Sequence, residues 1–168
     1  MARQLSSLIR EGFARALSGP GGIQALACAH GREPALGQLD WQDMASLMHS
    51  RSVPATRQDD VLAAAIRCYR NGSRCIWAPV LLTMLAPAVI AMAARARRLS
   101  PEIEGEDLDQ QAVLEALRAC AEMPLWDGCR YVQRRVVLLA NKRLMRWTAR
   151  EHRHRSQLTG DELMEIRK

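Results

Sequence analysis

The sequence predicts an all-α protein, a compact helical domain carrying an N-terminal helical arm. Three observations predict it. Aromatic residues are only 4% of the chain, with one Phe and two Tyr, while Ala and Leu are plentiful, a balance that suits helices better than strands. No run alternates apolar and polar residues as a half-buried strand does. Capping, proline and glycine signals recur at intervals that fit helices. At 168 residues and 48% hydrophobic the chain is long enough for one core of ordinary size.

The elements follow in order. "MARQLSSLIREGFARAL" forms a short amphipathic helix, and "SGPGG" and "HGREPALG" then break the chain, so residues 1–37 read as a flexible, loosely attached arm. Residues 38–75 read as an N-terminal helical extension. Within it Asp40 caps a helix through about His49. Asp59 and Asp60 open the helix "DDVLAAAIRCYRNG", with acids at its positive end and Asn71-Gly72 as a left-handed stop. In "CIWAPVLLTMLAPAVIAMAARARR", Pro79 suits a first turn and Pro87 kinks or restarts the helix. Ser100 and Pro101 signal a start, and a helix runs from about Glu106 to Glu122. "MPLWDG" makes a turn, and a long helix runs from about Cys129 towards Arg153. Residues 76–155 form the main domain, and 156–168 a C-terminal tail.

From Cys75 to Ala94 there is no charged side chain, and three arginines follow. That length meets the requirement for a membrane span, with a basic flank. Six alanines and two prolines between Ile76 and Ala94 give little insertion energy. A pair of helices buried on most sides gives the same run, so no membrane is expected.

The net charge of +6 is local. Residues 1–127 carry 13 basic and 14 acidic side chains, net −1; residues 128–155 carry nine basic and one acidic, net +8; residues 156–168 return to −1. Such density points to a polyanion. On the last helix Arg135, Lys142, Arg146 and Arg153 fall near one line, with Arg143 and Arg150 beside it, over about 27 Å. Such a line follows a phosphate backbone. Trp126 and Tyr131 near its start offer rings for unpaired bases, while Trp147 fits the core. On the preceding helix Val113, Ala116, Leu117 and Cys120 form the core side. Asp107, Gln111, Leu114 and Arg118 lie opposite, with Gln110 at the margin; composition alone favours a solvated face with acids near the helix N-terminus, and docking on a protein is the alternative.

The five cysteines lack CxxC spacing and a secretory signal, which predicts a reducing cytoplasm and free, mostly buried thiols. Cys28 and His30 lack a second ligand pair, so no metal is expected. No catalytic constellation and no cofactor motif stand out, so an enzyme is not expected.

Three blocks then carry a resemblance. "LLTMLAPAVIAMAARA" has an apolar-Pro-apolar pattern at Ala86 to Val89, "EDLDQQAVLEAL" spans Glu106 to Leu117, and "VVLLANKRLMRWTARE" follows. In this order they resemble the second conserved region of sigma-70-family transcription initiation factors, over roughly residues 77–155. The middle block is similar to the family's Glu-Asp-Leu-x-Gln-Glu run, with Gln111 where an acid is usual. The resemblance implies a bacterial protein that docks on the clamp helices of the large RNA polymerase subunit through Asp107, Gln110 and Gln111, with Glu115 and Arg118 on or near that face. It implies single-stranded promoter DNA, the melted minus-ten element, held by Asn141, Lys142, Arg143, Arg146 and Arg150, with Trp126 and Tyr131 for stacking. Arg135 and Arg153 complete the basic line. The 168 residues hold no run resembling the family's fourth region, which implies a partner protein that supplies it. Two other expectations stay open: a helical adaptor that binds protein without opening DNA, and a single-span membrane protein.

Overall fold

Eight α-helices follow one another among the described residues: α1 (Ala2–Leu17), α2 (Pro20–Arg32), α3 (Trp41–His49), α4 (Ala55–Asn71), α5 (Arg74–Met84), α6 (Ala86–Leu99), α7 (Gly105–Glu122) and α8 (Val132–Glu165). The computed structural model describes the backbone of residues 2–165 and the side chains of residues 4–155 and 157. The predicted all-helical class holds.

The core lies where α4 to α8 meet. α4 buries Val61 through Ile66 without interruption, together with Tyr69. A helix buried on nearly every side is a central helix. It packs on α3, α5, α7 and α8. α7 and α8 lie against each other along much of their length, and α6 packs on both. Trp41 of α3 meets Trp77 of α5 edge-on, with ring centroids 5.1 Å apart.

The first 37 residues depart from the expected loose arm. α1 lies on α5 and α6, and Leu5 and Ile9 at spacing i, i+4 are buried, with Phe13 half-buried one turn on. Each such burial is worth roughly 1.5–3 kcal/mol, which is enough to hold an amphipathic helix in place. The "SGPGG" run breaks the chain between α1 and α2 as expected, and its last three residues also start α2, with Pro20 in the first turn, where no N–H is needed. Glu33, just past α2, takes a two-pronged ion pair from Arg67 of α4 at 2.9 and 2.7 Å.

Asp40 caps α3 as expected, and reciprocally: its carboxylate accepts from Asp43 N–H at 2.7 Å, and Asp43 accepts from Asp40 N–H at 3.2 Å. α4 begins at Ala55, four residues before Asp59, so Asp59 and Asp60 do not open it. Gly72 ends it with extended backbone, φ −126°, not left-handed. Glycine is needed there for space: a Cβ would lie 2.8 Å from the Cys68 carbonyl oxygen.

The uncharged run is two helices that bend by 76° between Met84 and Ala86, with Pro87 in the first turn of α6. Pro79 sits inside α5 rather than at its first turn. Among the described residues no single helix is long and apolar enough to cross a membrane. Val80, Leu81, Met84, Val89, Met92 and Ala93 of the run are buried inside the protein. The thiols divide. Cys120 and Cys129 are buried and Cys68 is half-buried, but Cys28 and Cys75 are exposed, against the expectation of mostly buried cysteines. His30 bonds the Leu39 carbonyl at 2.9 Å.

Candidate nucleic-acid interface

α4 places the two helices that carry the site. Arg70 donates through Nε and Nη2 to the Cys120 carbonyl at 2.9 and 2.6 Å, and also to the Met123 carbonyl, so it closes the C-terminus of α7. Eleven residues earlier Asp59, 8% exposed, accepts from the N–H groups of Tyr131 and Val132 at 2.7 and 2.8 Å and closes the N-terminus of α8. A cation at one helix's negative end and an anion at the other's positive end both suit the helix dipoles. Burial lowers the Arg70 pKa. Tyr131, held by this cap, has a left-handed backbone with φ 57°, and Gly128 before it turns the chain with φ 72°.

α8 buries Val132, Val136, Ala140, Leu144 and Thr148 as one stripe. Trp147 is half-buried and packed against the core. One edge of that stripe turns Arg143, Arg146, Arg150 and Arg153 towards α7. Between the two helices runs an open cleft of about 700 Å³, lined by these four arginines, by Ala149, and by Glu115, Arg118 and Glu122 of α7. Five guanidinium groups and two carboxylates face one recess.

The two carboxylates differ. Glu115 is 4% exposed and its Oε1 accepts from Gln111 Nε2 at 2.8 Å and Arg118 Nη1 at 3.1 Å. Glu122 stands at the rim, its side chain 57% exposed, and takes one bond from Arg143 Nη2. That bond holds the Glu122 carboxyl below the usual carboxylate range and raises the Arg143 pKa. Arg146 and Arg150 form no ion pair among the described residues, and Arg153 Nε donates to the Ala149 carbonyl at 3.3 Å.

The structure redistributes the residues expected to bind DNA. Arg143, Arg146, Arg150 and Arg153 come together in the cleft. Arg135 does not join them: its guanidinium lies over the Trp126 ring, 4.3 Å from the centroid, and its Nη1 is 2.7 Å from Cys129 Sγ. Trp126 (56% exposed) and Tyr131 (70%) are open to solvent at the far end of α8. Lys142 is exposed but outside the cleft lining, and Asn141 is half-buried.

The residues expected to dock on protein also divide. Asp107 is exposed, 3.8 Å from Arg155 of α8, and Gln110 is exposed and bonds Glu106 at 3.4 Å. Leu114, one turn beyond Gln110, is 40% exposed. Glu115 is not on an outward face: it lies on the cleft floor, and Arg118 forms the cleft wall. The cause is the wide buried arc of α7, which packs on α4, α5, α6 and α8. It buries Leu108, Ala112, Ala116, Ala119 and Cys120, while Val113 and Leu117 of the expected core side are half-buried.

Glu122 was missed by sequence reasoning because nothing marks an acid at the end of a helix as the partner of an arginine 21 residues later. The roles of Asp59 and Arg70 were equally hidden. Comparison with protein-family models, with curated proteins and with solved structures returns no match.

Proposed function

We propose that this protein is a non-catalytic, sigma-like transcription factor or modulator of the bacterial cytoplasm, which holds a nucleic-acid strand in the α7–α8 cleft. The observation that carries the reading is the convergence of five arginines from two helices on one open recess with only two acids. Guanidinium groups take phosphate oxygens in pairs and stay charged at any physiological pH. A recess with arginine on both walls suits one phosphate chain, since a helix that reads a duplex groove has to protrude. The exposed rings of Trp126 and Tyr131 lie in the connection just before α8 and suit unpaired bases.

The same reading gives the outer stripe of α7, with Asp107, Gln110 and Leu114, to RNA polymerase. Arg118 and Gln111 are tied to Glu115, so they contribute less to that surface than Asp107 and Gln110 do.

Two measurements test it. Fluorescence anisotropy with a labelled single-stranded oligonucleotide should show log K falling with log[salt], by about 0.7 for each phosphate contact. A flat response, or no binding, removes the nucleic-acid reading and leaves a protein adaptor. Bacterial polymerase core should be captured by the wild type and lost in the Asp107→Ala, Gln110→Ala double variant. Equal capture by both proteins removes the docking assignment.

A further inference from the structure

We propose that Glu122 is an internal stand-in for phosphate, a displaceable carboxylate that competes for Arg143 and so sets the affinity of the cleft for a phosphate chain. The inference rests on the reading of the cleft as a phosphate site.

Glu122 occupies a place that helix physics disfavours. It is in the last turn of α7, at the negative end of the helix dipole, where an acid is destabilising. What holds it there is one bond from Arg143 at the cleft rim. Glu115 makes the useful contrast. It is buried, accepts two bonds, and fixes Arg118 in the wall, so an incoming anion has no route to replace it. Glu122 is open to water and has one partner.

The consequence is selectivity. A lone anion entering beside Arg143 exchanges one anionic partner for another and gains little. An anion that also reaches Arg146 and Arg150, which have no carboxylate partner among the described residues, gains contacts that Glu122 never satisfied. Those three arginines rise along α8 by about 4.5 and 6 Å, a spacing on the scale of successive phosphates. The competitor therefore acts at Arg143, where a single anion gains little, and a phosphodiester chain that spans Arg143, Arg146 and Arg150 gains enough to displace it.

The test compares wild-type protein with Glu122→Gln, using a labelled 12-nucleotide single strand and, as competitor, inorganic phosphate. The Gln variant should bind the strand roughly two- to fivefold more tightly, as expected for removing one exposed ionic partner. Its plot of log K against log[salt] should steepen by about 0.7, one further counterion released. Inorganic phosphate should compete better against the variant than against the wild type. Thermal melting checks that the variant is folded.

Unchanged affinity and slope in a folded variant, with wild-type binding intact, overturn the role of Glu122 and leave the cleft assignment standing. If neither protein binds the strand, the cleft assignment falls and the role of Glu122 falls with it. Binding by the variant alone supports the competitor strongly.

Discussion

At the scale of single residues, the proposed cleft separates basic side chains that look alike in the sequence. Arg150 is exposed, lines the cleft and has no ion pair among the described residues; Lys142 is equally exposed but stands outside it. Arg150→Gln should weaken binding to an oligonucleotide and make the salt dependence shallower by about one contact. Lys142→Gln should leave the slope unchanged. A shared loss in both variants would show that the whole basic face acts diffusely and that the cleft has no special place. Asp59 belongs to the same scale. Its carboxylate satisfies two backbone N–H groups that have no other acceptor at the start of α8. Asp59→Ala should lower stability in urea unfolding by about 2 kcal/mol, combining a lost cap with two unpaired donors. Tyr131 is the opposite case, since a non-glycine residue at φ 57° is strained. Tyr131→Gly should melt no lower than wild type, although glycine loses more freedom on folding.

At the scale of elements, α1 is the sharpest departure from what the sequence suggests. Its apolar residues are spaced for one narrow stripe, Leu5, Ile9 and Phe13, and nothing local says whether a partner helix is present. The partner is the face that α5 and α6 share across their 76° bend, which exists only once both helices are folded. Leu5→Ala should therefore destabilise the whole protein by about 2–4 kcal/mol, read as a lower urea midpoint; loss of α1 signals alone, with the midpoint unchanged, would restore the loose arm. Most helices were legible in the sequence because periodicity and caps are local, as the Asp40 cap of α3 shows; α2 was not, because its glycines and short apolar content give no periodic stripe. The basic line of α8 was legible only in part: Arg146 and Arg153 of that line reach the cleft, while Arg135 and Lys142 do not. The burial of Glu115 was not, because a carboxylate at a helical position looks solvated until a neighbouring helix covers it. Nor was the split of Arg135 from Arg143, which depends on where Trp126 comes to rest.

At the scale of the whole molecule, thiol reactivity and acid response report the fold. Cys28 and Cys75 are exposed, so two thiols should label quickly in the native protein. Cys68 should react slowly, because burial pushes its pKa to about 11, and Cys120, pushed by burial to about 12, should stay silent until unfolding. Mass spectrometry of the labelled protein checks the count; early labelling of Cys120 contradicts the core. Glu102 and Glu122 both have lowered pKa values in the folded state, Glu102 through a backbone hydrogen bond and His152, and Glu122 through Arg143. A lowered folded-state value means stability that is present above the ordinary carboxylate pKa and lost as pH falls through the folded value. Melting temperature should fall as pH drops below about 4.5, and Glu122→Gln should flatten part of that fall.

The paired caps supplied by α4 carry one last consequence, for how the chain can be divided. The cleft is lined by residues 115–153, yet both groups that close the turn between α7 and α8 come from residues 59 and 70. A fragment starting at residue 76 keeps every arginine of the cleft and loses the two side chains that hold its walls at their working separation. Such a fragment should show helical circular dichroism without a cooperative melt, and adding back a peptide of residues 50–75 should restore cooperativity. The α7–α8 cleft is thus the outer side of a joint whose pin is a helix from another part of the chain.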